Sequence, residues 1–286
     1  MQLRNTFALF ASAFLLAGAL VTVSGCGDDD SQTTNNNNNQ AQQDAAVQED
    51  AEVQNDAEVQ NDADVPQTTN IEGRVWLYYY TTLAPPANIG LEWGGGATVE
   101  TVGLTQEIST TADSEGIFTL PDVPIGETIY LRASGLTGAK NGLSHIFTVE
   151  PDLLLFLVSI TDELLTNVAT AWSVTPDPTC GILSGVVAEW DATADPPITA
   201  FIGDATLGVT PAPGGAGYQL IYFDPTDPSN TSLASTHAQQ SLFFGVNVPV
   251  LGAGSYTLTT THATETLPDM EAPIEADSIT YVVIAP

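Results

Sequence analysis

Basic residues are nearly missing from this chain: 4 lysines and arginines stand against 35 aspartates and glutamates in 286 residues, a formal net charge of −31. A surface that negative repels phosphate backbones, so nucleic acid is not expected as a partner. It suits cation binding, solubility in a saline medium where repulsion is screened, or simply a solvated surface outside the cytoplasm. Cysteine is as scarce, with only Cys26 and Cys180. The three histidines, His145, His237 and His262, form no His-x-x-x-His and lie beside no cysteine pair, so zinc has no local signature. A serine-hydrolase elbow, Gly-x-Ser-x-Gly, is absent too; in Gly142-Leu143-Ser144-His145 the serine and histidine are neighbours that a strand would turn to opposite faces. Gly94-Gly95-Gly96 and Gly214-Gly215 lack the following lysine or helix that cradles phosphate. Neither a catalytic residue, a cofactor nor a resident metal is expected.

The clearest positive signal is at the N-terminus. Arg4 supplies a positive end, Phe7 to Val23 form an apolar stretch, and Val23-Ser24-Gly25-Cys26 places small residues before a cysteine. This is the pattern of a lipoprotein signal peptide, residues 1–25, cleaved so that Cys26 carries the lipid. An uncleaved membrane-spanning helix is the alternative; Asp28, Asp29 and Asp30 directly after the stretch, without a basic stop-transfer cluster, argue against it. Acyl chains contribute about 0.8 kcal/mol per buried CH₂, so two or more hold a protein on a bilayer. Gly27, not aspartate, follows Cys26, which favours the outer membrane or cell surface over retention at the inner membrane.

Residues 26–70 read as the lipid anchor and a disordered acidic spacer. They contain no aromatic residue, an unbroken run Asn35 to Asn39, and a six-residue repeat that sets valines at 47, 53, 59 and 65. A period of six would wind those valines around a helix, and the flanking carboxylates leave little apolar surface for a strand to bury. As a flexible coil such a segment spans about 35–40 Å root-mean-square.

From Ile71 the composition changes to aromatics and β-branched residues between turns. Ile71 to Tyr80, Ala97 to Val102, Ile117 to Leu120, Thr128 to Ala133 and Ser144 to Val149 read as strands, with Gly94 to Gly96 as a turn and Asn141-Gly142 as a hairpin signal. Leu153 to Val158 is too short to cross a bilayer and reads as a buried strand. Ser159 with Asp162 offers a helix N-cap, and Leu164, Leu165, Val168 and Trp172 fall at helical spacing. A second strand-rich stretch follows: Ile182 to Glu189, Ile198 to Ile202, Tyr218 to Phe223, Leu242 to Val246, Ser255 to Thr261 and Ser278 to Ile284. The two stretches repeat each other. Phe118 aligns with Phe243, Val123 with Val248 and Pro124 with Pro249, whereas Ala238 and Ser241 stand where the first copy has Asp113 and Gly116.

The order Gly73-Arg74-Val75, Gly96-Ala97-Thr98-Val99, Thr111-Ala112-Asp113-Ser114-Glu115-Gly116-Ile117-Phe118 and Val123-Pro124-Ile125-Gly126 resembles a carboxypeptidase regulatory-like domain. The resemblance implies a transthyretin-like β-sandwich and a non-catalytic appendage. The expected fold is therefore all-β: two tandem transthyretin-like or Ig-like antiparallel β-sandwiches, residues 71–158 and 181–286, joined by a connector with a short helix at 159–180. The second is a degenerate copy.

Four features are the candidates for chemistry. Asp224, Asp227 and Asn230 cluster oxygen donors in one loop, a possible calcium site against a structural loop. His237 and His262 with Glu265 would be needed for a metal-assisted hydrolase, the enzymatic alternative. Cys180, lacking a partner if Cys26 is acylated, reads as a buried thiol at the entry to a strand. Trp76, Tyr78 and Tyr80 alternate onto one strand face and Tyr79 onto the other, and with Trp93 they form either a packed core face or a platform for a glycan or protein. The function expected is a membrane-anchored, extracytoplasmic, non-catalytic binding or structural module, contacting protein, glycan or envelope.

Overall fold

Alternation of apolar and polar residues, bounded by turn residues, builds about half of the described residues into strands. A computed structural model describes residues 67–82, 88–191, 198–215, 217–227 and 229–286, with the side chains of 80–82, 88 and 89 excepted. The signal peptide, Cys26 and the acidic spacer up to residue 66 lie outside the described residues; Thr68 to Asn70, expected in the disordered spacer, instead begin the first strand, where Thr68 and Thr69 pair with Pro124 and Val123. Residues Pro66–Pro286 form one compact unit of 17 described strands and one helix. Among the described residues no helix is long and apolar enough to cross a membrane.

The long strand β1 (Thr68–Thr82) organises the first sandwich. One of its edges pairs antiparallel with β2 (Asn88–Trp93) and β5 (Ile117–Pro124), and β9 (Leu154–Ile160) pairs with it in parallel. Facing this sheet are β3 (Thr98–Val102), β4 (Ser109–Thr111) and β6 (Thr128–Ser134), with the short β7 (Asn141–Leu143) and β8 (Phe147–Thr148) on β6. Ile71, Val75, Phe118, Leu120, Leu155 and Leu157 meet Val99, Ile129 and Leu131 between the sheets, all buried. Burial of each such side chain contributes about 1.5–3 kcal/mol.

The helix α1 (Asp162–Ala171) follows, with Thr161, not Ser159, as its N-cap: Thr161 Oγ1 accepts the Leu164 N–H at 3.2 Å. Ser159 belongs to β9 and is buried. Then β10 (Cys180–Trp190) repeats the role of β1, pairing antiparallel with β14 (Leu242–Pro249) and β11 (Ile198–Phe201) and in parallel with β17 (Ser278–Ile284). β13 (Gln219–Tyr222) extends β14. Facing them are β12 (Thr206–Thr210), β15 (Tyr256–Thr261) and β16 (Met270–Ala272), over a core that includes Leu183, Phe243, Tyr256, Leu258 and Val282.

The repeat seen in the sequence is a structural duplication. Gly73 lies opposite Phe118, and Gly185 opposite Phe243. A Cβ on Gly73 would stand 2.3 Å from the Leu155 oxygen and 2.4 Å from the Phe118 ring; on Gly185 it would stand 2.3 Å from the Val282 oxygen and 2.9 Å from the Phe243 ring. Five residues on in each copy, Val123 and Val248 follow a bulge whose preceding residue has positive φ, 53° at Asp122 and 57° at Asn247. The turns differ as the substitutions require. In the first copy Asp113 Oδ1 accepts the Glu115 and Ile117 N–H groups at 2.8 and 2.9 Å. In the second, Ser241 Oγ accepts the Val187 N–H at 3.2 Å and donates to its carbonyl.

Two further sequence expectations change. Asn141-Gly142 is not a hairpin turn but part of β7, where a Cβ on Gly142 would meet the Val158 oxygen at 2.5 Å; the glycine is there for close packing. The expected strand Ser144 to Val149 breaks after Leu143, because Ser144 Oγ accepts the Leu131 N–H at 2.9 Å and interrupts the ladder.

The two sandwiches are not beads on a string. β17 pairs in parallel with β7 of the first, so one ten-stranded sheet runs β13-β14-β10-β17-β7-β6-β3-β4 through both, with β11 added on β10 and β8 on β6. A third apolar layer fills the space between them: Val158, Trp172, Val186, Phe244, Val246 and Tyr281 with the partly buried Trp76 and Tyr78. This layer explains why β14 is buried at nearly every position on both faces.

Candidate functional site

Each candidate side chain is placed by these elements, and most are already committed. The Asp224 carboxylate is taken up by its own loop. Its Oδ1 accepts from Thr226 N–H at 2.8 Å, Thr226 Oγ1 at 2.7 Å and Asp227 N–H at 3.2 Å, and its Oδ2 accepts from Asn230 Nδ2 at 2.9 Å. These donors, Thr226 first and then Asn230, hold the carboxyl well below its usual range. Asp227 and Asn230 repeat the motif on Ser229 and Ser232, so the oxygens are aimed at the loop backbone in three successive turns.

His237 and His262 use their Nδ1 atoms in the same way. His237 accepts the Gln239 N–H at 3.2 Å, and His262 the Glu265 N–H at 3.1 Å. Among the described residues no group of three or more His, Cys, Asp or Glu side chains is arranged to hold a metal ion. The composite site with Glu265 is therefore not assembled. His145 packs edge-on against Phe147, with centroids 5.8 Å apart, and burial lowers its pKa to about 4, so it is neutral at neutral pH.

Cys180 opens β10 and is half-buried rather than buried. It lines a cleft of about 210 Å³ with Lys140, Asp162, Asn247 and Asp277. Lys140 Nζ lies 2.8 Å from Asp162 and also bonds Asp277. Burial alone would lower the Lys140 pKa, but the two carboxylates outweigh it and keep the ammonium charged. The cleft thus holds an ion triad of one ammonium and two carboxylates beside the free Cys180 thiol.

The aromatic residues divide. Tyr78 shares a hydrogen bond with Tyr281 between the sandwiches, their rings edge-to-face at 6.2 Å, and burial raises both hydroxyl pKa values. Trp76 packs partly into the same layer. Lower on that face of β1 the cover ends. Trp93, opposite Trp76, is 36% exposed, Ile117, opposite Arg74, is 41% exposed, and Leu154, beside Glu72, is 43% exposed. The rings form a chain: Trp93 to Trp76 at 4.7 Å, Trp76 to Phe156 at 6.3 Å and Phe156 to Trp190 at 5.3 Å. The Arg74 guanidinium stands 4.3 Å above the Trp93 ring. Large apolar side chains clustered in the open are uncommon on a surface with nothing to meet.

Ile117, Leu154, Phe156 and Trp190 did not stand out in the sequence as surface residues. Ile117 could have been found, since Phe118 is the inward residue of that strand and its neighbour must point out.

No protein-family model matches the chain, and no curated protein matches it. Among solved structures, a double mutant of the shaft pilin SpaA from Lactobacillus rhamnosus GG aligns at TM-score 0.22 and 12% identity, over 77% of this chain and 98% of that one. A single mutant of the same pilin gives TM-score 0.20 and 12% identity over 77% and 99%. The Bacillus anthracis TIE protein gives 0.20 and 9% over 75% of this chain and 34% of its own. At such TM-scores these matches transfer neither a detailed fold nor a function. The all-β, sandwich architecture rests on the sheets themselves.

Proposed function

We propose that the chain is a non-catalytic binding or structural module, held outside the cytoplasm by lipid on Cys26, whose contact surface is the outer face of the first sheet. The observation that carries this reading is the exposed group Trp93, Ile117 and Leu154 around Arg74, set beside candidate catalytic groups that are each engaged in their own turn or ion pair. The lipobox sequence at Val23 to Cys26 supports the anchor.

The test is thermal unfolding of the mature chain from residue 27, which keeps the whole compact unit, against neutral oligosaccharides, peptidoglycan fragments, calcium and zinc. A ligand at a hundred times its dissociation constant adds about 2.7 kcal/mol. A shift with a glycan that Ile117→Asp abolishes supports the contact surface. A shift with zinc together with ester or peptide hydrolysis would instead establish the hydrolase. Labelling with a radioactive fatty acid, lost in Cys26→Ala, tests the anchor.

A further inference from the structure

The uncovered corner of the first sheet has an apolar centre and an acidic rim. Ile117 lies beside Arg74 across one edge of β1, Leu154 lies beside Glu72 across the other, and both are exposed, as is Trp93. The second sandwich ends this corner as a step, where Trp190 packs edge-on against Phe156 at 5.3 Å. Carboxylates surround the centre. Glu72 stands within it, Glu115 and Asp152 sit in the turns that lead into Ile117 and Leu154, and Glu92 directly precedes Trp93; all four are exposed. Among the described residues none of the four makes an ion pair, whereas Arg132 and Lys140 each hold two carboxylates elsewhere. The single cation of the corner, Arg74, is drawn onto the Trp93 ring, which leaves the Glu72 charge open.

We propose that this corner docks a basic protein segment, one in which lysine or arginine side chains flank an apolar side chain. The proposal rests on the reading of this face as a contact surface and names its occupant. The partner's apolar side chain lies on Ile117 and Leu154 and takes both out of water, while its cations meet Glu72, Glu115 and Asp152. An apolar centre of this kind supplies most of the affinity, and a charged rim sets the approach and the choice of partner. The Debye length at physiological ionic strength is about 8 Å, so carboxylates in the adjoining turns still act on whatever reaches the centre.

Charge and shape both favour this occupant. An anionic polymer or lipid surface meets repulsion from the rim and from the whole chain, with its formal charge of −31. A second copy would bring the same acidic rim against this one. A sugar needs a bare aromatic face to stack on, but the Trp93 ring carries Arg74 at 4.3 Å and meets the Trp76 ring at 4.7 Å. The side chains left in the open, Ile117 and Leu154, are branched aliphatics, which suit the apolar side chain of a protein.

Fluorescence anisotropy on the mature chain from residue 27 tests this with a labelled peptide of about ten residues alternating lysine and leucine. A lysine–serine peptide of equal charge and a glutamate–leucine peptide are the comparisons. The lysine–leucine peptide is expected to bind with a Kd of about 10–100 µM, at least about tenfold tighter than the lysine–serine peptide, and more weakly as salt rises. The glutamate–leucine peptide should not bind. Ile117→Asp and Leu154→Asp separate docking from general attraction, because each adds a negative charge: charge alone would tighten binding, whereas loss of the apolar centre should weaken it about tenfold. Val250→Asp, at an exposed residue of the second sandwich, should not weaken it. Circular dichroism shows which variants are folded, and either of the first two suffices. Equal binding of the two lysine peptides, tighter binding in Ile117→Asp or Leu154→Asp, or an equal loss in Val250→Asp each overturns the proposal. The contact-surface reading is judged separately. If the lysine–leucine peptide fails to bind but a neutral oligosaccharide gives a thermal shift that Ile117→Asp abolishes, the basic partner is ruled out and the surface stands. If Ile117→Asp alters neither peptide binding nor any ligand shift, both fall.

Discussion

The guanidinium of Arg132 grips the Glu275 carboxylate with two prongs, Nε to Oε2 at 3.0 Å and Nη2 to Oε1 at 2.5 Å, across 143 residues of sequence. A third nitrogen, Nη1, reaches Glu100 at 2.6 Å, and the Tyr130 hydroxyl donates to Glu275 at 2.7 Å. The network ties β6 of the first sandwich to the segment leading into β17. Its members are about one-quarter exposed, so solvent screens it only in part. Arg132→Gln is expected to lower stability by about 1–2 kcal/mol, with a smaller loss at high salt. Urea unfolding at two ionic strengths measures both.

Gly73→Ala and Gly185→Ala should each cost about 3 kcal/mol, because the new methyl meets a backbone oxygen that cannot move aside. Gly96→Ala gives the comparison: its φ is 82° but nothing lies within 4 Å of the Cβ, so the cost is backbone conformation alone, about 1 kcal/mol. Denaturant titrations of the three variants rank the effects.

Thr260 Oγ1 is buried without a hydrogen-bond partner. Replacing the residue by valine keeps the shape and removes the stranded hydroxyl. Thr260→Val is therefore expected to leave stability unchanged or raise it by about 1 kcal/mol, read as a rise in Tm.

Stability should fall on both sides of neutrality, in separate windows. Burial lowers the pKa of His145 to about 4 from 6.5, so the unfolded chain binds the extra proton first and stability is lost as pH drops from 6.5 towards 4. His145→Gln should flatten that slope. The lowered Asp224 carboxyl contributes above its ordinary range, and its share is lost only at more acidic pH, below 3.8. On the alkaline side, burial raises Tyr130 and Tyr218 to about 12, so the unfolded chain ionises first and stability falls from pH 10 upward. Circular dichroism melts across pH, with tyrosinate absorbance followed in parallel, check each window.

Asp224→Ala removes four hydrogen bonds from one loop and should cost about 2–3 kcal/mol. Since those bonds occupy the carboxylate, chelator should leave the wild-type melting temperature unchanged.

Local pattern made much of the fold legible. The spacing from Phe118 to Val123 and from Phe243 to Val248 carried the duplication, and Leu164, Leu165 and Trp172 marked the helix. Three-residue strands such as β4 and β16 were not visible, being too short to show a period. The shared sheet was out of reach for a different reason: the pairing of Thr280 with Leu143 depends on partners far apart in sequence. The same limit hid the contact face. Whether Trp76 or Trp93 is covered is decided by how far the second sandwich extends over the first, and neither residue's neighbours state that. Asp224 showed the opposite failure, since oxygen-rich composition alone does not say whether the oxygens face a cation or their own backbone.

The place of β17 sets an order of events for folding. Residues 278–284 lie in the middle of the ten-stranded sheet, yet they follow every other described strand in the chain. Until they arrive, the edge of β7 is open and Tyr78 lacks the ring it leans on. Pairings between distant positions form late, because loop closure comes before its reward. The first sandwich therefore has an interval, while the second is still incomplete, in which a bare strand edge and an aromatic face invite aggregation. Mutations that slow the second half would show themselves as poor yield of the whole, even where the finished protein is no less stable.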